Sequence, residues 1–306
     1  MSKPGWLVLL AGVWVGWLGT ALALEGNGPE RPPLKVDRPI QVFTPEELAF
    51  SKRTMGYYKN PDPEALMNAF LAIKDILAFF QHSKRTADDG RAVIASQITA
   101  VFFASMIRKQ PALASTFSRM VIAKGTDPHR IVLADAIAMS GVKDREEILN
   151  KVFKSVSDGF LNDKGKDPAQ VAKDRETLFA RMKQQPVLDL TKVTIVHPGQ
   201  LDLLWSAFFA TGEKDYVVRV AKKLDFWLPQ EELSRKMDAL SASQRTPEVM
   251  ADVRRHALSA AAGWSLGANA KRFPEVKSAL EKFATSEPGT AGNAAKSILQ
   301  LLKEAN

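Results

Sequence analysis

Cysteine is absent from all 306 residues. That excludes disulfides, thiolate metal sites, cysteine nucleophiles and dithiol redox chemistry, and leaves burial to stabilise the fold. Histidine is scarce, with four residues at His82, His129, His197 and His256. Their spacing gives neither H-E-x-x-H nor H-x-H, so there is no local zinc motif. No P-loop and no dinucleotide-binding fingerprint occurs. Accordingly no catalytic, cofactor-binding or metal-ligating residue is assigned from the sequence, and no cofactor is implied.

Long apolar runs are nearly as rare. One extends from Trp6 to Leu18, preceded by Lys3 and followed by Ala21-Leu22-Ala23. A charged start, an apolar core and a small-x-small end read as a signal peptide over residues 1–23. Residues 6–24 are also uncharged for about the length of a bilayer crossing, so an uncleaved anchor is the alternative. Ala21, Ala23, Gly16 and Gly19 favour cleavage. The expected location is exported, periplasmic or secreted, with N-terminal membrane anchoring as the minor alternative. Cleavage would remove Trp6, Trp14 and Trp17 and leave Trp205, Trp227 and Trp264.

The chain does have an excess of basic charge, +8 at neutral pH. Lys/Arg pairs recur at 52–53, 84–85, 108–109, 222–223, 235–236, 254–255 and 271–272. Outside the cytoplasm this charge fits an anionic envelope surface or an acidic protein, and nucleic acid is not an expected partner. Several pairs fall at expected helix ends, where cations complement the dipole.

Residues 24–43 carry Pro29, Pro32, Pro33 and Pro39 and read as an extended tether. Helical punctuation then begins. Thr44-Pro45-Glu46-Glu47 combines an N-cap, a first-turn proline and a capping-box glutamate. Asp62-Pro63, Asp127-Pro128, Asp167-Pro168 and Thr246-Pro247 repeat the cap-proline pattern, and Asp144-Arg-Glu-Glu147 reads as another box. Glycines 125, 141, 159 and 212 sit at expected stops. Between these signals apolar residues fall at i, i+3, i+4, i+7, as in Leu149-Val152-Phe153-Val156 and Val276-Ala279-Leu280-Phe283. The pattern predicts an all-α fold of about ten to twelve helices with short connections. Val187–Val196 is β-branched and partly alternating. With no sheet to join, it reads as an extended crossover at 186–197 between helical lobes at 44–185 and 198–306.

A weak internal repeat joins residues 102–113, 208–217 and 265–276, each an aromatic or small helix end, a basic turn and a new helix start. These segments predict helical hairpins stacked as an irregular α-solenoid. Thr246-Pro-Glu-Val249, Arg254-Arg-His-Ala-Leu258 and Asn293-Ala-Ala-Lys-Ser-Ile-Leu299 resemble HEAT-type helical repeats. That resemblance covers about the last 60 residues. It implies a scaffold binding partners on a concave face and carries no catalytic residue with it.

Gly263-Trp264-Ser265-Leu266-Gly267 fits G-x-S-x-G, the nucleophile elbow, which needs a strand running into a sharp turn. Here Ser259-Ala-Ala-Ala262 precedes it, a helical stretch, and no histidine follows His256. Small residues allowing close helix approach around Trp264 explain the glycines better. Ser140-Gly-Val-Lys143 fits S-x-x-K, but Gly141 is expected to end the helix, no Lys-Thr-Gly follows, and Ser157-Asp158-Gly159 lies too close to be a partner motif. His129, near Asp127, Arg130 and Asp135, and His197, on a loop start, are the most suggestive histidines. Glu46-Glu47 and Glu231-Glu232 read as first-turn acids. In each of Phe79-Phe80, Phe102-Phe103 and Phe208-Phe209, one ring is expected in the core and the other at a neighbouring helix or groove. Together these features predict an exported, non-enzymatic helical binding or scaffold protein of the bacterial envelope that engages a protein or peptide. An envelope hydrolase with a site built from distant residues, or a carrier of an apolar ligand, are the alternatives.

Overall fold

The start signals at 44–47, 62–63, 167–168 and 246–247 all open helices in the computed structural model. The model describes residues 43–82, 89–161, 167–228 and 246–304. The signal-peptide and tether assignments at 1–42, and Glu231-Glu232, lie outside those residues. Among the described residues the fold is all-α, with fourteen α-helices and no strand. The helices are α1 (Pro45–Thr54), α2 (Pro63–Leu71), α3 (Ile76–His82), α4 (Asp89–Lys109), α5 (Leu113–Lys124), α6 (Asp127–Ser140), α7 (Arg145–Lys154), α8 (Asp158–Leu161), α9 (Pro168–Gln184), α10 (Leu201–Thr211), α11 (Lys214–Ala221), α12 (Pro247–Ala270), α13 (Pro274–Ser286) and α14 (Thr290–Glu304). The number exceeds the expectation because short helices such as α3 and α8 carry too few residues to show a period.

Local punctuation explains most boundaries. Thr44 forms the predicted capping box: its N–H donates to Glu47 Oε2 at 2.8 Å, and its hydroxyl accepts the Glu47 N–H at 3.2 Å. Gly141 and Gly212 end α6 and α10 with φ of 74° and 75°, the left-handed region in which side chains are disfavoured. Three expectations fail. Asp127 does not cap α6; Thr126 does, leaving Asp127 free to bind Ser157 and Arg130. Asp144 precedes α7 without a side-chain cap bond. Gly159 lies inside α8 rather than at a stop. The three repeat segments do fall on helix–turn–helix junctions, α4 to α5, α10 to α11 and α12 to α13.

The described chain divides into two compact units, one of residues up to 188 with 209–211, the other of 189–208 and 212–304. The first is built around rings. Phe70 stands 5.3 Å from Phe50, 5.1 Å from Phe103 and 4.8 Å from His129. Phe103 stands 5.7 Å from Phe117, so α1, α2, α4, α5 and α6 share one aromatic core. Mixed tilted and edge-on geometry suits the ring quadrupoles.

Arginines close the helix ends of this unit. A helix leaves its last four carbonyls without intrahelical partners. Arg145 donates to Ala138 O at 3.1 Å, Gln185 O at 3.3 Å and Lys183 O at 3.2 Å, tying the ends of α6 and α9 together. Arg175 donates to Phe153 O and Val156 O, both at 2.8 Å, and to Asp158 at 2.5 Å. Arg108 reaches Met139 O and Leu188 O, and Leu188 N–H donates to Met139 O at 3.0 Å. Residues 185–188 are thus held extended over the end of α6 without a sheet.

In the second unit α13 and α14 pack as a hairpin, with α11 and α12 against α13. The stretch 189–196, a turn at 190–192 followed by four residues without regular structure, buries Leu190 and Ile195. Arg219 of α11 donates to Thr191 O and Val193 O there. Gly263 of α12 lies under Trp227: a Cβ would come within 2.3 Å of the indole Nε1. The close approach therefore belongs to Trp227, not to the expected Trp264.

Arg145→Met is expected to lower unfolding free energy by about 2–4 kcal/mol in urea titrations, since it strands three carbonyls. Arg145→Lys is expected to recover less than half of that, because a point charge cannot span the fork's acceptors.

Candidate functional site

The polar groups singled out by spacing are absorbed into backbone capping. Ser265 is buried in mid-helix and donates to Ala262 O at 3.0 Å. A nucleophile elbow needs an exposed, strained serine, and α12 supplies neither. Ser140 donates to Ile137 O at 2.8 Å, and the left-handed turn at Gly141 carries exposed Lys143 off the helix. Serine and lysine therefore do not share a helical turn.

Asp252, His256 and Ser259 follow one another at i, i+4 and i+7 on α12, the inventory of a Ser-His-acid set. Their hydrogen bonds run elsewhere. Ser259 Oγ donates to Lys223 O and accepts the Phe226 N–H at 3.1 Å. His256 Nδ1 lies 2.7 Å from Phe226 O, which makes Nδ1 the protonated nitrogen, while Nε2 stands 3.5 Å from Asp252. Through His256 and Ser259 the helix fastens the 224–226 turn.

His129 and His197 are also held in local structure. His129 Nδ1 accepts from Thr126 (Oγ1 at 2.7 Å), so Nε2 carries the proton and donates to Phe70 O at 3.0 Å. Burial holds its pKa below the ordinary histidine value, and neighbouring Arg130 adds to the effect. His197 caps the 3-10 turn 198–200, accepting the Gly199 N–H at 3.1 Å. His82 ends α3. Asp127 binds Arg130 at 2.6 Å and the Ser157 hydroxyl at 2.5 Å. Glu47 is buried in its capping box. Among the described residues no three His, Asp or Glu side chains are grouped to hold a metal ion. Both rings of each phenylalanine pair are buried, which fits one ring in the core and one against a neighbouring helix and leaves neither in an open groove.

Two features escaped the sequence reading. Asp202, in the first turn of α10, is buried, and that burial pushes its carboxyl up to about 8. A lone acid in an apolar run was the available signal, but a first-turn position gave it an ordinary explanation. The second feature is the outward face of α12. Trp264 is 47% exposed there, flanked along the helix by half-exposed Ala257, Ala260, Gly267 and Ala268 and then by exposed Lys271. A Cβ on Gly267 would lie 3.7 Å from Ile298 of α14, and one turn beyond Ile298 stands Leu301, 56% exposed. An indole raised above a shelf of small side chains leaves apolar surface that this unit does not cover. Among the described residues no helix is long and apolar enough to cross a membrane.

Asp202 yields a pH prediction. Its raised pKa means the folded chain keeps a proton that the unfolded chain releases. Its contribution to stability is therefore full below about pH 4 and is lost as pH rises toward 8. Asp202→Asn is expected to be more stable than wild type by roughly 2–4 kcal/mol at pH 7, with the gap closing toward pH 4, measured by denaturant unfolding across that range.

Compared with known proteins, the chain matches no family model, no curated protein and no solved structure.

Proposed function

We propose that this is an exported, non-enzymatic helical binding protein of the bacterial envelope, and that α12 engages a protein or peptide partner through Trp264. The observation that carries this reading is the exposed indole among alanines and glycine on a helix whose Ser259, Ser265 and His256 bond backbone carbonyls. Tryptophan is enriched among the residues that dominate interface energetics, and small neighbours let a partner's backbone come close. Exposed Lys271 and Arg272 border the shelf and favour a partner with an acidic flank. An amphipathic helix laid along α12 satisfies these requirements. Export rests on residues 1–23, and the absence of cysteine suits a protein that relies on helix packing there.

The test compares wild type with Trp264→Ser. Wild type is expected to hold a stoichiometric protein partner from envelope extract, with its tryptophan emission shifting on binding. Trp264→Ser is expected to bind at least about tenfold more weakly while melting within a few degrees of wild type, because the ring is exposed. Equal partner binding by both proteins would remove α12 as the contact. Turnover of an ester or cell-wall substrate, or a co-purified lipid with no protein partner, would replace the reading.

A further inference from the structure

A separate site lies where the chain turns between α1 and α2. There a cleft of about 200 Å³ is lined by Lys52, Arg53, Tyr57, Asn60, Asp62 and Leu66. One lining residue is unusual. Tyr57 is 7% exposed, and its hydroxyl is buried with no hydrogen-bond partner among the described residues. Buried hydroxyls nearly always find a partner, and a lost one costs free energy. The ring is fixed edge-on against Phe102 at 5.9 Å. Gly56, at φ 74°, makes the turn that brings Tyr57 back beside the last turn of α1.

The charges at the cleft suit an anion. Lys52 and Arg53 are exposed at its rim. Asp62 is the one acid in the lining, and its carboxylate already accepts the Ala65 N–H at 2.9 Å as the cap of α2. Burial, and then Asp62, push the Tyr57 hydroxyl up to about 12, so it stays a donor through the physiological range. We propose that this cleft binds a small oxyanion group, a carboxylate or a phosphate, with the Tyr57 hydroxyl donating to it and Lys52 and Arg53 neutralising it at the rim. The volume is below the roughly 300–1,000 Å³ of sites for whole drug-sized ligands, so one anionic group and a few atoms are accommodated. This site is independent of the Trp264 face.

The experiment titrates the full chain with inorganic phosphate and, separately, with acetate at low ionic strength, following heat and melting temperature. Chloride at matched ionic strength is the control. Wild type is expected to bind one of the two anions at a single site and melt higher with it. Tyr57→Phe keeps the ring and is expected to bind at least about tenfold more weakly. Without anion it is expected to melt no lower than wild type, since it discards an unpartnered hydroxyl. Lys52→Ala/Arg53→Ala is expected to lose the anion response as well. Equal responses from wild type and Tyr57→Phe, or none beyond chloride from wild type, would overturn the site. So would a lower anion-free melting temperature for Tyr57→Phe, because the hydroxyl would then already have a structural partner.

Discussion

The constraint that organises this protein is the set of carbonyls left over at helix C-termini. The described fold has no sheet to absorb backbone polar groups, and each helix ends in carbonyls that its own geometry cannot satisfy. Guanidinium groups meet that demand. Arg130 reaches Ile122 O at the end of α5, Arg108 and Arg145 reach the end of α6, Arg175 reaches the end of α7, and Arg145 also reaches the end of α9. A planar fork with five donors can span two or three such acceptors, and lysine cannot. Charge-assisted bonds of this kind are stronger than neutral ones, so a few residues hold several helix ends.

Part of the basic excess therefore serves the fold rather than a partner. Arg108 belongs to one of the Lys/Arg pairs visible in the sequence, yet its guanidinium points at Met139 and Leu188. Arg219 does the same for the non-helical stretch after residue 188, binding Thr191 O and Val193 O. Serine and histidine follow the same logic through Ser259, His256 and His129. Two features of the described residues are not committed in this way: an exposed tryptophan on α12 and, in the other unit, a tyrosine hydroxyl with no partner among the described residues, in a cleft that Lys52 and Arg53 also line. Each is a departure from the general rule of buried rings and satisfied donors, which is why each draws a functional proposal.

Legibility varied with the range of the interaction involved. The Thr44 box and the Asp62, Asp167 and Thr246 caps were readable because donor and acceptor lie within three residues. The apolar stripes of α7 and α13 were readable because a helix puts i, i+3, i+4 and i+7 on one side, and all four positions are buried in both. Asp127 was misread because its attraction to Ser157, thirty residues away, competes with the local cap, which Thr126 then supplies. The Phe pairs were readable as packing residues, but not that α10 buries residues nearly all round. Neither of the features on which the binding proposals rest was legible: spacing placed Trp264 inside a helix contact, and Tyr57 belongs to no motif.

By itself the sequence determined the helical class, most helix starts, and the exclusion of thiol, disulfide and local zinc-motif chemistry, since each follows from residue type or from bonds a few positions long. Tertiary structure decided which arginines are structural, that Trp227 rather than Trp264 packs on Gly263, and that Asp202 is buried. These depend on which distant segments come within a few ångströms, and side-chain burial and hydrogen-bond satisfaction exist only once they do.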